Sequence, residues 1–318
     1  MNPLSAMFGA GVAARNALYD RGIFKARKLE RPVVSIGNIS AGGSGKTPFA
    51  IALGELLKKR GIAFDVLSRG YRRKSSAIAV VDPQGTPEEF GDEPLLIARK
   101  LQVPVIVGAD RHQAVLLAEQ KFASRVHILD DGFQHRRLHR DFDIVMLPAS
   151  DLKDTLLPVG RLREPITALR RADAVVADLN ETEEMLRQSH PVSAAIWRVR
   201  RELKVDQGAG KAVAFCGIAR AKQFFAQLED ANMVPAGTLA FPDHHRYSQA
   251  DIERLVQIKA GCGAGGFVTT EKDLVNLGRL AGQLQPLEIA RLSIRLEDPE
   301  AALDKLLRTL EQRCGCRF

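Results

Sequence analysis

The stretch from Pro32 to Ala50, PVVSIGNISAGGSGKTPFA, leaves this chain few ways to fold. A short β-branched run enters a loop holding Gly42, Gly43 and Gly45, and then Lys46, Thr47 and the helical pattern PFAIALGELLKKRG follow. Strand, glycine-rich loop and helix, in that order, form the setting in which G-x-x-x-x-G-K-[ST] cradles phosphate. Glycines reach positive φ and turn backbone N–H groups inward around phosphate oxygens, while the positive end of the helix faces the same anion. Ser40, Ala41, Gly42, Gly43, Ser44, Gly45, Lys46 and Thr47 are therefore assigned to nucleotide binding. Lys46 reaches the β- and γ-phosphates, and the Thr47 hydroxyl ligates Mg²⁺. Pro48 falls in the first helical turn, where a missing N–H costs nothing. Ser40 stands where the pattern has its first glycine, and Ser40→Gly is expected to be almost silent. The plainer alternative is a glycine turn ahead of an amphipathic helix.

Further along, apolar runs alternate with helix-length segments. VVSIG, AFDVLSRG, AIAVVD, VPVIVG, VHILDD, DIVMLP and ADAVVAD are mostly β-rich, with EPLLIARKL and RHQAVLLAEQKFA among the helical stretches between them. Continuous apolar character means burial on both faces, as in a parallel sheet under helices. The fold class is α/β, with a doubly wound parallel sheet of the P-loop type. A second set of such units follows, in KAVAFCGIA with RAKQFFAQLEDAN and in SQADIERLVQIKAG with GFVTTEKD. Two runs differ, AAIWRVRREL and EIARLSIRLED, because they alternate apolar with basic residues and so read as half-buried strands. They are expected to pair as a two-stranded linker. Residues 1–192 then form the nucleotide-binding domain, residues 193–298 a smaller α/β domain with the linker strands, and the helix in 299–318 returns to the first domain.

The amino-terminal stretch LSAMFGAGVAARNALYDRGIF is different in kind. It gathers Leu4, Met7, Phe8, Val12, Leu18, Tyr19 and Ile23 on about half of a helical wheel. Arg15, Arg21, Lys25, Arg27, Lys28 and Arg31 flank them against only Asp20 and Glu30. Two readings remain open: a surface helix packed on the domain, or an interfacial helix laid on an anionic membrane. The charge pattern and cleavage site of a signal peptide are not seen. The net charge of +8 favours an anionic partner of some kind. No uninterrupted apolar run reaches spanning length, and Cys216, Cys262, Cys314 and Cys316 lack zinc-like spacing and read as reduced thiols.

Other residues carry possible chemistry. VHILDDGFQH places Asp130 and Asp131 at the carboxyl end of a strand, where one of them would hold Mg²⁺ directly or through water. Asp92 and Glu93 open a helix in FGDEPLLIA, either as plain caps or as functional acids. SRGYRRK offers Arg69, Arg72 and Arg73 for phosphate oxygens, and LPVGRLREP holds Arg163 and Glu164 between two prolines. FPDHHRYS clusters Asp243, His244 and His245.

Taken in order, VVSIGNISAGGSGKTP, LSRGYRRK, GDEPLLIA, LDDGFQHRRLHRD, LPVGRLREP, FCGIA, FPDHH and TTEKD resemble the tetraacyldisaccharide 4′-kinase family of lipid A biosynthesis. The matching segments cover residues from about 32 to 275. The resemblance implies transfer of the ATP γ-phosphoryl group to the 4′-hydroxyl of a tetraacylated glucosamine disaccharide 1-phosphate, giving lipid IVA. It further implies two α/β domains on a two-stranded linker, ATP and Mg²⁺ as cofactors, and an amino-terminal segment that associates peripherally with the anionic cytoplasmic face of the inner membrane. An Asp–His pair acting on the hydroxyl carries over onto Asp92 and His244, with His245 adjacent as the other choice. Arg69, Arg72, Gln134, His135, Arg163 and Glu164 carry over as contacts of the substrate or its phosphates. Arg161 departs from the expected pattern in LPVGRLREP, and the amino-terminal segment is shorter and less apolar than in some members.

Three rivals are weighed. A regulatory GTPase requires N-K-x-D, and the lysine of TTEKD is misplaced for it. A nucleic-acid-dependent ATPase fits the charge, but aromatic residues make up only 6% of the chain, so no nucleic-acid partner is expected. A soluble P-loop kinase for another small acceptor is the remaining alternative.

Overall fold

The computed structural model describes residues 2–178, 186, 193–205 and 211–318. In chain order the first half carries α1 (Pro3–Asp20), β1 (Val33–Asn38), α2 (Lys46–Lys59), β2 (Phe64–Ser68), β3 (Ala79–Val80), α3 (Pro87–Phe90), α4 (Asp92–Leu101), β4 (Val105–Val107), α5 (Arg111–Lys121), β5 (Val126–Asp130), β6 (Phe142–Leu147) and β7 (Ala174–Asp178). The second half carries β8 (Ala195–Val205), β9 (Ala212–Cys216), α6 (Ala221–Asp230), β10 (Gly237–Ala240), α7 (Gln249–Cys262), β11 (Gly266–Thr270), α8 (Glu271–Leu277), β12 (Leu287–Leu296) and α9 (Pro299–Cys314). The boundary expected at residue 192 lies outside the described residues.

The strands hydrogen-bond in the order β10-β9-β11-β12-β8-β7-β6-β1-β5-β2-β4-β3. Central β1 is buried throughout between parallel β5 and β6, which is why its sequence is apolar without alternation. Its carboxyl end opens into the glycine loop. Among the named strands, pairing is antiparallel only between β8 and β12 and between β3 and β4. β8 and β12 run side by side from Val199 against Leu296 to Val205 against Ala290. On their outer edges β8 joins β7 and β12 joins β11, both in parallel. Both strands are half-buried along much of their length, and burial alternates clearly from Trp197 to Arg200 of β8. AIAVVD yields a strand of two residues, because it lies at the outer edge of the sheet and has only β4 to pair with.

Helix packing is close under the loop. A Cβ on Gly54, in the middle of α2, would come within 2.6 Å of Leu101 Cδ1 at the end of α4. That contact explains a glycine that otherwise weakens a helix by about 1 kcal/mol relative to alanine. The last helix, α9, is capped by Asp298, which accepts from the Ala301 amide, and ends at the left-handed Gly315. Its buried Leu303, Leu306 and Leu310 share one core with Val34 and Ile36 of β1, Phe49 of α2 and Phe142 of β6. Arg313 fixes its far end by donating to both oxygens of Asp173.

Helix α1 turns polar residues toward the protein. Ser5 Oγ donates to the Leu156 carbonyl at 2.9 Å, Asn16 Nδ2 to Glu164 at 2.7 Å, and Arg136 to Asp20 at 2.8 Å. Leu4 and Met7 stay 59% and 72% exposed, and Ile23 and Phe24 beyond the helix are exposed as well. Phe8, Val12, Leu18 and Tyr19 are half-buried.

Truncation of Leu306 to alanine should destabilise the protein by about 2–5 kcal/mol, because it opens a cavity under β1 and α2. Urea unfolding measures it, and a loss below about 1 kcal/mol would mean that α9 contributes little to that core.

Candidate active site

The loop after β1 bends through Gly42 at φ +99° and Gly45 at φ +88°, a region that side chains avoid. Gly45 caps α2, so Lys46 and Thr47 begin the helix. A Cβ on Gly45 would lie 3.3 Å from Arg201 Nη1 and 3.4 Å from Ile294 Cδ1, which seats the loop against β8 and β12. Arg201 reinforces this contact by donating to the Ser44 carbonyl at 3.2 Å and pairing with Asp178 at 2.8 Å.

Lys46 Nζ lies 3.1 Å from Asn38 Oδ1 and 3.3 Å from Asp131 Oδ1. Arg163 donates to both Asp131 oxygens at 3.0 Å and also to Asn38. Asp131 takes a left-handed φ of +50° just past β5. Desolvation works against its ionisation, but Lys46 and Arg163 outweigh it and hold the carboxyl far below the usual range. Asp130, the last residue of β5, is buried and accepts from Ser68 Oγ at 3.0 Å, while its Oδ1 has no hydrogen-bond partner among the described residues. Burial, joined by the nearby charges of Glu93 and Asp131, pushes this carboxyl up to about 7. A desolvated carboxylate with a free oxygen beside a phosphate loop has the character of a ligand to a hard cation. Asp130 fits Mg²⁺ on that ground, with Thr47 in the first turn of α2, whereas Asp131 is already engaged by two cations.

A second cluster assembles where α4 meets α8. Asp92 opens α4 and is 5% exposed. His244, at φ +57° in the segment after β10, brings Nδ1 to 2.8 Å from Asp92 Oδ2, and Asn276 donates to the same oxygen at 3.2 Å. Burial alone would raise the Asp92 carboxyl, but His244, Lys272 and Asn276 bring it down to about 2. His245 turns away, bonded to Asp251 at 3.1 Å and stacked on Phe241 at 4.5 Å. Arg72 donates to the carbonyls of Asp243 at 2.7 Å and His244 at 3.3 Å, so its guanidinium holds the histidine segment in place. Arg69 is exposed.

Gln134 and Glu164 lie deeper. Gln134 Nε2 donates to the Asn38 carbonyl at 2.9 Å and to Glu164 at 3.1 Å. Glu164, fully buried, also receives Asn16 of α1 and Arg171, both at 2.7 Å. His135 borders a cavity of about 710 Å³ whose wall includes Tyr19, Phe24, Lys25, Arg27 and Arg137. Burial, then the charges of Arg111, Arg140 and Arg137, lowers the His135 imidazole to about 4.

Two residues escaped the sequence reading. Lys272, in the first turn of α8, lies 3.2 Å from Glu93 and 3.7 Å from Asp92. Burial opposes its charge, and Glu93, Asp92 and Asp243 outweigh burial and raise its ammonium well above the usual lysine range. Its signal was TTEKD, a lysine opening a helix at the carboxyl end of a parallel strand. The other is Asp151, fully buried, which accepts from Ser40 Oγ at 2.5 Å and faces Arg220 at 3.5 Å and Arg161 at 3.8 Å. Ser40 therefore holds a carboxylate, contrary to the expectation that its side chain is idle.

A family model described as tetraacyldisaccharide-1-P 4′-kinase matches residues 1–311. A tetraacyldisaccharide 4′-kinase of Koribacter versatilis is 52% identical, with 99% of this chain and 100% of that protein covered. The same-named protein of Aquifex aeolicus is 38% identical over 86% of this chain and 88% of its own length. A crystal structure of the "apo" form of LpxK from Aquifex aeolicus in complex with ATP superposes with a TM-score of 0.78 at 34% identity, covering 97% of this chain and 98% of that one.

Replacing Ser40 by alanine removes the closest donor to a buried carboxylate and should destabilise the protein by about 1–3 kcal/mol. Ser40→Thr, which restores a hydroxyl, should recover part of the loss. Chemical denaturation decides the point: equal stability of wild type and Ser40→Ala would show that Arg220 and Arg161 suffice for Asp151.

Proposed function

The chain belongs to the tetraacyldisaccharide-1-P 4′-kinase family, and from that membership we propose that it transfers the γ-phosphoryl group of ATP to the 4′-hydroxyl of a tetraacylated glucosamine disaccharide 1-phosphate. The product is lipid IVA, an intermediate of lipid A. The observation that carries the proposal is a phosphate loop at the carboxyl end of β1 together with an Asp–His pair, buried Asp92 and half-buried His244.

The backbone of Ser40–Thr47 cradles the nucleotide phosphates, and Lys46 neutralises charge on them. To do so it trades its contacts with Asn38 and Asp131 for phosphate oxygens, while Arg163 stays to balance Asp131. Thr47 and Asp130 would hold Mg²⁺, which supplies further charge neutralisation on the phosphates when bound. Asp92 accepts the proton of the sugar hydroxyl, and His244 orients the carboxylate. The two clusters adjoin through Glu93, which pairs with Lys272 and whose charge acts on Asp130.

Acceptor binding falls to the cavity beside His135. Its lysine and arginines suit a sugar phosphate, and Tyr19 and Phe24 give it an apolar rim next to α1. Among the described residues no helix is long and apolar enough to cross a membrane. Exposed Leu4 and Met7, with the basic residues after α1, support peripheral association with the anionic cytoplasmic face of the inner membrane. Residues 1–192 with the returning α9 act as the nucleotide domain and residues 193–298 as a second domain, hinged on β8 and β12.

Labelled ATP and the disaccharide 1-phosphate in mixed micelles test the activity directly. Phosphate transfer to water-soluble acceptors with none to the lipid would overturn it. Asp92→Asn should lower kcat about 10²- to 10⁴-fold with the KM for ATP little changed, and a wild-type kcat would return Asp92 to the role of a helix cap.

Leu4→Ser combined with Met7→Ser should weaken binding to anionic vesicles about tenfold or more, since each buried apolar side chain contributes about 1.5–3 kcal/mol. Stability should change by less than about 0.5 kcal/mol, because both side chains are exposed. Unchanged sedimentation with vesicles would count against the membrane-bound helix.

A further inference from the structure

Lys272 takes no part in the phosphate loop or in proton acceptance, yet it stands at the centre of the second cluster. Its Nζ lies 3.2 Å from Glu93 Oε1, 3.4 Å from Asp243 Oδ1, 3.7 Å from Asp92 Oδ2 and 3.3 Å from His244 Nε2. Three carboxylates around one ammonium keep it charged. A charged ammonium has three donors and no acceptor, so the ring nitrogen facing it must present a lone pair. The proton of a neutral His244 is then on Nδ1, which points at Asp92 Oδ2 from 2.8 Å.

We propose that Lys272 is a positioning residue for phosphoryl transfer: facing Nε2, it fixes His244 as the Nδ1–H tautomer, so that the imidazole donates to Asp92 and Asp92 remains the proton acceptor. The proposal rests on the assignment of Asp92 and His244 made above and adds the residue that fixes their protonation.

The groups facing the imidazole define what happens without the lysine. From α4 come Asp92 and Glu93, from the segment after β10 Asp243, and from α8 Lys272 and Asn276. From the segment after β2 come Tyr71, edge-on to the ring at 5.2 Å, and Arg72, bonded to the His244 carbonyl. Asp243 Oδ2 already stands 3.7 Å from Nε2. With the ammonium gone, the carboxylates favour a second proton on the ring, and Asp243 is placed to accept from it. The resulting imidazolium binds the Asp92 carboxylate more tightly and makes it a poorer base. Removing Lys272 therefore moves the loss of activity on the acid side to higher pH.

The tautomer is read by NMR on the full-length protein with ¹⁵N-labelled histidine, taking the His244 signals as those absent from His244→Gln. Near pH 7.5 the wild type should show a protonated Nδ1 and a bare Nε2. A protonated Nε2 with a bare Nδ1 overturns the proposal. Kinetically, Lys272→Met should lower kcat at neutral pH about tenfold or more, leave the KM for ATP unchanged, and shift the acid limb of kcat upward by at least about one pH unit. Lys272→Arg, which restores a fixed cation, should bring that limb back toward the wild-type position. A folded Lys272→Met enzyme whose kcat falls by one factor at every pH, with no shift of the limb, overturns the proposal in favour of a structural role. A wild-type protein inactive on the lipid would instead defeat the functional assignment, and the tautomer would still be decided by NMR.

Discussion

Lys46, Asp131 and Arg163 stand together at the carboxyl end of β1 and β5, with Lys46 and Arg163 both reaching Asn38. Two cations around a partly exposed carboxylate keep a defined geometry only where the backbone that carries them is held. Much of the surrounding structure supplies that fixing. Gln134 clamps the Asn38 carbonyl from one side, and Asn38 itself donates to the Ser40 carbonyl at 2.8 Å. Ser40 leans on Asp151, and Arg201 holds the Ser44 carbonyl from β8. The loop is thus braced by side chains at both ends as well as by its glycines.

Charge is arranged differently in the second cluster. Lys272 gathers Asp92, Glu93 and Asp243, which come from two segments far apart in sequence. α8 reaches this position because Val275 is buried in the core beneath the first half while Asp273 is held within the second. Glu93 faces both clusters, so the carboxyl of Asp130 and the ammonium of Lys272 sense the same side chain from opposite directions.

Much of this was legible in the sequence because it depends on local rules. The uninterrupted apolar run before the glycine loop specified a central buried strand, and the loop itself specified the helix that follows. The alternation of apolar and basic residues in β8 and β12 identified two strands of another kind, which pair with each other. What stayed hidden depends on distance in the chain. Lys272 finds Glu93 across 179 positions, and neither sequence alone suggests the other. Asp151 carries no signal in the sequence, and only the fold buries it against Ser40. That His244 and not His245 meets Asp92 goes with a backbone angle, a left-handed φ at His244, while His245 stacks on Phe241. No periodicity encodes such an angle.

The return of α9 has a consequence for how the protein is made. Leu303, Leu306 and Leu310 close the core beneath β1 and α2, yet they leave the ribosome after every strand they cover. A nascent chain already long enough to form the first seven strands still presents an open apolar groove along Phe49 and Phe142. Synthesis at roughly 5–20 residues per second keeps that groove uncovered for many seconds, the time needed to add the second half. Apolar surface left open in this way makes a partly made chain prone to aggregate.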